Sequence, residues 1–261
     1  MQKGTTRGAG LLALGLLVLG VVLLLSNFLI ISGFNVTALW PLLLVVAGVV
    51  ILLQGDLTNN TDSRTFGITR GTVESASAEI TPGEIDVRLH GLTREGRLVS
   101  GQYAVNSRPS LDVRDNHAVL RMDRAATPWL SFADWELALS RDLPWQVFIS
   151  TSLGAVDLDV SDVIMHSAVV ATGMGDIRLT CPREAFEPLQ LRSAVGDIHV
   201  YTPPGARALV QVHGSPLLTV HVDENRYERG EEGTYIARAA DSLLQPVEII
   251  VRGTFGDVYL A

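Results

Sequence analysis

Two kinds of hydrophobic pattern run along this chain, and they meet near residue 56. Before that point no charged residue occurs between Arg7 and Asp56. Two apolar stretches, 9–31 and 36–53, are separated by one polar break, Ser32-Gly33-Phe34-Asn35. A bilayer core of about 30 Å takes about 20 helical residues. The pattern therefore predicts two transmembrane helices, 9–31 and 36–53, paired as a hairpin within residues 1–55. Pro41 falls near the start of the second helix, and proline is tolerated in a first turn. Trp40 sits where an interfacial aromatic belongs. A cleaved signal peptide is the competing reading, but its apolar core spans only about 7–15 residues and needs no second run behind it.

Residues 56–72, rich in Thr, Asn, Gly and Asp, read as a polar linker to a domain over 73–261. From there the pattern alternates. Glu84-Ile85-Asp86-Val87-Arg88-Leu89, Ser110-Leu111-Asp112-Val113, Trp135-Glu136-Leu137-Ala138-Leu139 and Ala155-Val156-Asp157-Leu158-Asp159-Val160 all have period two. Such runs, bounded by Gly, Pro and Asp, predict strands. The expected soluble part is all-β, with at most a short turn near Phe186.

An internal repeat refines this. Gly154, Gly175 and Gly196 fall 21 residues apart. Each is followed by an alternating strand: Ala155-Val156-Asp157-Leu158, Asp176-Ile177-Arg178-Leu179 and Asp197-Ile198-His199-Val200. Later positions coincide as well: Ala168/Val170, Leu189/Leu191 and Val210/Val212, and Pro182 with Pro203. A looser unit holds Leu218-Thr219-Val220-His221-Val222. The corner returns at Gly83-Glu84-Ile85-Asp86 and at Gly256-Asp257-Val258-Tyr259. Each unit holds two strands and two turns and cannot bury its apolar edge alone, so stacked units must share a core. The expectation is a β-solenoid-like stack of coils of about 21 residues; a two-sheet sandwich of consecutive hairpins is the alternative. The register puts Val156, Leu158, Ile177, Leu179, Ile198 and Val200 on one inward face, and Ala168, Leu189 and Val210 in a second column. Corner glycines Gly83, Gly154, Gly175, Gly196 and Gly256 supply positive φ.

Charge and cysteine content narrow the function. Residues 56–261 hold 18 of the 20 basic residues against all 28 acidic ones, a balance of 18 − 28 = −10. That excess opposes a nucleic-acid backbone as partner. One cysteine excludes a disulfide framework and a cysteine-rich zinc site. Asp176, Asp197 and Asp257 each follow a corner glycine, and stacked carboxylates invite a calcium column. Ala155 and Glu84 hold the same place elsewhere, which suits turn carboxylates accepting backbone N–H bonds. The six histidines form no zincin spacing, and no nucleophile elbow, phosphate loop or dinucleotide fingerprint occurs. Cys181 aligns with Val160 at an inward position. Trp129, Trp135 and Trp145, with Phe132 and Phe148, read as the core or end cap of the first coils, or as an apolar recognition surface. No catalytic, cofactor-binding or metal-ligating residue is expected.

The membrane pattern Gly15-Leu16-Leu17-Val18-Leu19-Gly20, with Trp40-Pro41-Leu42-Leu43-Leu44 and Gly48, resembles the LiaI/LiaF-type transmembrane region. The repeated Gly-Asp-Ile strands, with Pro182 closing one, resemble the toastrack or adhesin-like β domain of LiaF-like proteins. The resemblance implies a bacterial envelope protein that responds to cell-wall stress by contact with a membrane sensor kinase, without catalysis. This chain departs from those relatives in having one hairpin where many have two, in the helices through which such a contact runs. Lys3 and Arg7 before the first helix place the N-terminus inside, so two passes predict a cytoplasmic β domain. The functional expectation is a non-enzymatic, membrane-anchored module that binds partners or self-associates. A structural or adhesin-like surface protein is one alternative, and a carbohydrate-active enzyme with paired carboxylates in a groove is another.

Overall fold

The computed structural model describes residues 63–104, 108–124, 134–238 and 245–261. The hairpin expected at 9–31 and 36–53, and Trp129 and Phe132, lie outside the described residues. Within them the chain is all-β. Its strands are β1 (Ser63–Thr69), β2 (Ser75–Gly83), β3 (Val87–Gly91), β4 (Arg97–Ala104), β5 (Ser110–Arg114) and β6 (His117–Asp123). Next come β7 (Trp135–Leu139), β8 (Trp145–Leu153), β9 (Val156–Asp159), β10 (Met165–Met174), β11 (Ile177–Thr180) and β12 (Leu189–Val195). The last six are β13 (Ile198–Tyr201), β14 (Ala208–Gly214), β15 (Leu218–Val222), β16 (Tyr227–Arg229), β17 (Thr234–Ala237) and β18 (Val247–Leu260).

The strands make two sheets that share β18. Sheet A runs β1-β4-β7-β3-β9-β11-β13-β18-β15. Sheet B runs β5-β6-β2-β8-β10-β12-β18-β14-β17-β16. The middle of each sheet is parallel, because each unit contributes one strand to each sheet before the chain moves to the next coil. Three of the four ends switch to antiparallel pairing, at β1 and β4 in sheet A and at β5, β16 and β17 in sheet B, while β15 ends sheet A in parallel.

Alternation explains the core. Val156 and Leu158, Ile177 and Leu179, and Ile198 and Val200 are buried and stand in register on β9, β11 and β13. Burying one such side chain stabilises by about 1.5–3 kcal/mol. Asp157, Arg178 and His199, between them, face outward side by side. Trp135 and Trp145 are fully buried, and the Trp145 indole N–H donates to the Ser140 carbonyl at 3.0 Å.

Four features differ from the sequence expectation. Strand β1 lies inside the stretch read as linker: Phe66 and Ile68 alternate with Thr65, Gly67 and Thr69 and pack against the core, so a polar composition still pairs with β4. Coil order does not follow chain order, since β6 and β7 stack outside β2 and β3 while β8 and β9 stack on the other side. Ala168 and Leu189 are neighbours, but Ile249 of β18 stands between Leu189 and Val210. Finally, Gly83 pairs with Thr151 rather than Gly154, across a register shift between Ile80 and Gly83. Ile85, not Gly83, lies against Gly154. A two-residue offset keeps every side chain on its face, so alternation cannot reveal it.

Candidate functional site

The corner between the sheets is the most ordered polar feature of the fold. Gly154, Gly175, Gly196 and Gly256 have φ of 132°, 149°, 140° and 135°. They stack so closely that a Cβ on Gly175 would overlap the Gly154 carbonyl oxygen, and likewise Gly196 on Gly175 and Gly256 on Gly196. Gly83 has φ 70° and only the Arg124 side chain near it.

The aspartates beside these glycines bind backbone. Asp176 Oδ1 accepts the Asp197 N–H at 2.9 Å, and Asp197 Oδ1 accepts the Asp257 N–H at 2.9 Å. In the coil of β2 and β3 the corresponding carboxylate is Asp86, not Glu84, and it accepts the Ala155 N–H at 2.7 Å. The carboxylates thus tie β3 to β9, β11 to β13 and β13 to β18, whereas Ala155 offers none to the coil of β11. Among the described residues no cluster of three or more His, Cys, Asp or Glu has a metal-binding arrangement.

Several other titratable groups are held by structure. Cys181 is buried, with Sγ 3.5 Å from Thr202 Oγ1, and burial pushes its thiol up to about 12. Tyr227 bonds the same hydroxyl and is pushed to about 12, again by burial. A protonated buried thiol is no nucleophile. On the outer face of sheet A the His199, Tyr259 and His221 rings stack at 4.7 Å and 4.9 Å. The Tyr259 phenol is raised by partial burial and by Asp257 and Asp197. A groove of about 500 Å³ is lined by Asp159, Asp162, Arg183 and Tyr201 among others. Its carboxylates are engaged locally: Asp159 Oδ1 accepts from the Ser161 hydroxyl at 2.8 Å, and Asp162 pairs with Arg141 at 3.3 Å.

One arrangement has no structural partner of this kind. Leu153, Met174, Val195 and Phe255 are 43%, 54%, 40% and 56% exposed. They stand in register on β8, β10, β12 and β18, forming an apolar ridge over four coils, about 14 Å long at the usual strand spacing. Arg192 and Arg252, paired on β12 and β18, stand three residues before the ridge in their coils. Asp176, Asp197 and Asp257 stand two residues beyond it. Alternation counts Leu153 with the inward residues Val147, Ile149 and Thr151. The last inward place is instead filled by Thr151, Thr172 and Ser193, which are buried and bond carbonyls at or beside the corner. The sequence signal was an apolar residue directly before Gly154, Gly175, Gly196 and Gly256.

Comparison with known proteins agrees with this architecture. The N-terminal domain of toast_rack (DUF2154) matches residues 57–201, and the LiaF transmembrane domain matches residues 11–71. Among proteins of curated function none matches this chain. A crystal structure of a candidate cell adhesion protein from Clostridium sporogenes is similar over 76% of this chain and 98% of that one, with TM-score 0.66 and 16% identity, a likeness of fold. A candidate adhesin from Bacteroides fragilis aligns over 77% of this chain and 98% of its own at 11% identity, with TM-score 0.32. Neither matched family is an enzyme family, and the LiaF-type segment marks a membrane protein. With more than half of its residues inside the first match, the chain belongs to the toast-rack family, carried behind a transmembrane domain of the LiaF type.

Proposed function

We propose that this chain is a non-enzymatic regulatory module of the envelope-stress response, anchored by a two-helix hairpin and acting by protein contact. The observation that carries the reading is the ridge Leu153-Met174-Val195-Phe255. Aligned apolar side chains of this size are exposed in soluble domains chiefly where something binds. The occupant that fits is an amphipathic segment of a membrane protein, with an apolar stripe between a basic edge facing Asp176, Asp197 and Asp257 and an acidic edge facing Arg192 and Arg252. A membrane sensor kinase is the partner that the LiaF-like resemblance implies. Lys3 and Arg7 favour a cytoplasmic position for the β domain, where the signalling portion of such a kinase lies.

The test is a chain carrying Met174→Ser and Phe255→Ser, expressed in its own host and compared with a deletion. The transcriptional response to a wall-active compound should change as in the deletion, with membrane abundance unchanged. A variant that behaves as the unmodified protein, or a deletion without effect on that response, overturns the reading. A reporter fused after Ala261 tests the side of the membrane: activity of a periplasm-dependent reporter would reverse the proposed topology.

A further inference from the structure

Sheets A and B have four edge strands among the described residues, and three of them are built against further pairing. β5 carries Asp112 and Arg114, and antiparallel self-pairing about its centre would set Asp112 on Asp112. β16 has three residues and would set Glu228 on Glu228. β1 carries Arg64 and joins the sheet through an antiparallel pair with a register shift. Charges, short length and irregular register are the usual protections of an edge.

β15, Leu218-Thr219-Val220-His221-Val222, has none of them. It holds no Asp, Glu, Lys, Arg, Pro or bulge, and pairs with β18 in unbroken parallel register. Its inward residues Leu218, Val220 and Val222 are half-buried, whereas Val258 and Leu260, one strand inward, are fully buried. Leu218, Val220 and Val222 thus keep part of their apolar surface beside the free edge, although they pack against the core. Sheet B is closed at the same end by β17 and β16, with Tyr235 and Tyr227 buried.

The backbone is poised as well. The Asp223 N–H bonds the Leu260 carbonyl. Backbone groups alternate sides along a strand, so Thr219 and His221 turn theirs toward β18, and Val220 and Val222 turn theirs to the free edge. The Leu218 N–H is taken by the Ser215 carbonyl, which leaves the Leu218 carbonyl free to accept.

We infer that β15 is a homotypic docking edge, and that two copies of this chain join by antiparallel pairing of β15 with β15 about a two-fold axis at Val220. In that register Val220 exchanges both hydrogen bonds with its counterpart, and the Val222 N–H of each copy donates to the Leu218 carbonyl of the other. Inward residues meet only apolar residues, which extends one core into the next. On the outer face Thr219 meets His221, so no carboxylate or fixed cation opposes its like. The choice of a second copy over a foreign strand rests on this self-complementarity, and it is independent of the ridge and its proposed partner.

The experiment uses the full chain in detergent micelles. Thr219→Cys with His221→Cys places two thiols in each directly opposed, non-hydrogen-bonded pair, about 4.5 Å apart at Cα and within disulfide reach. Cys181 is buried and does not compete. Mild oxidation should convert most of the protein to a covalent dimer, and the chain with native β15 should sediment as a dimer at micromolar concentration. Val220→Pro removes an N–H that only the dimer uses, and proline is tolerated where that N–H faces outward. It should fold, with the unfolding midpoint of the native chain once both are diluted to monomers, and lose at least tenfold in association. A chain that does not cross-link overturns the inference, whether it is monomeric or is dimeric through its membrane segments. Cross-linking that persists with Val220→Pro also overturns it. So does a Val220→Pro chain that fails to fold, since the N–H would then already serve the monomer.

Discussion

The Gly175 carbonyl oxygen occupies the space that a Cβ on Gly196 would need. With φ at 140°, Gly196 is also in a region that other residues enter only under strain. Gly196→Ala should therefore destabilise the domain by about 1–3 kcal/mol from backbone strain alone, with overlap adding to it. Gly96→Ala is the comparison: φ is 79° but no atom lies near its Cβ position, so only the strain should be seen. Urea unfolding followed by tryptophan fluorescence measures both.

Ile177 and Arg178 are adjacent in sequence and opposite in environment. Ile177 is fully buried between Val156 and Ile198, and Arg178 faces solvent between Asp157 and His199. Ile177→Ala should cost about 2–5 kcal/mol, and Arg178→Ala about 0–0.5 kcal/mol. Hydrogen exchange should show that the loss at Ile177 loosens β9 and β13 together, since a stack is coupled through nearest neighbours.

These two residues also mark how far the sequence could be read. The 21-residue spacing aligned β9, β11 and β13 because each unit there stacks directly on the next. It failed at β18, because Gly256 lies 60 residues beyond Gly196 and nothing local states which coil it will join. It failed at Gly83 because an offset of two preserves alternation. The apolar ridge was hidden for a related reason: Leu153 continues the inward period, and only the bend at Gly154 turns it out of the core.

β14 and β15 reach the parallel stack only through β18, which separates them from β12 and β13. A chain ended after Pro246 should keep β8 to β11 protected and lose order from about Pro203 onward. Limited proteolysis with mass spectrometry should find the first cuts there. Protection of Ala208–Gly214 in the shortened chain would show that β14 can pair with β12 directly.

Cys181 and Tyr227 make the domain sensitive to alkali. The thiol rises from 9.0, and the phenol from 10.0, each to about 12 on folding, because burial disfavours the charged forms. Between about pH 9 and 12 the unfolded chain gives up protons that the fold retains, so stability falls as pH rises and is unaffected by these groups below pH 9. Chemical denaturation at pH 8, 9.5 and 11 should show the decline. Cys181→Ala should reduce its slope, and alkylation of Cys181 at pH 8 should proceed only with unfolding.

The insertion of β18 between β13 and β15 sets a timetable for synthesis. His199 emerges from the ribosome well before Tyr259, the residue that stacks on it. Until then β12 and β13 end one half-stack, and β14 and β15 wait without a neighbour. Both are bare parallel edges with apolar inner faces, the kind of surface that invites pairing with the wrong strand. Growth of the chain through this interval is the stage at which a nascent-chain chaperone has most to hold, and slowing translation over 201–246 should increase aggregation more than slowing it over 75–139, before either edge has been made.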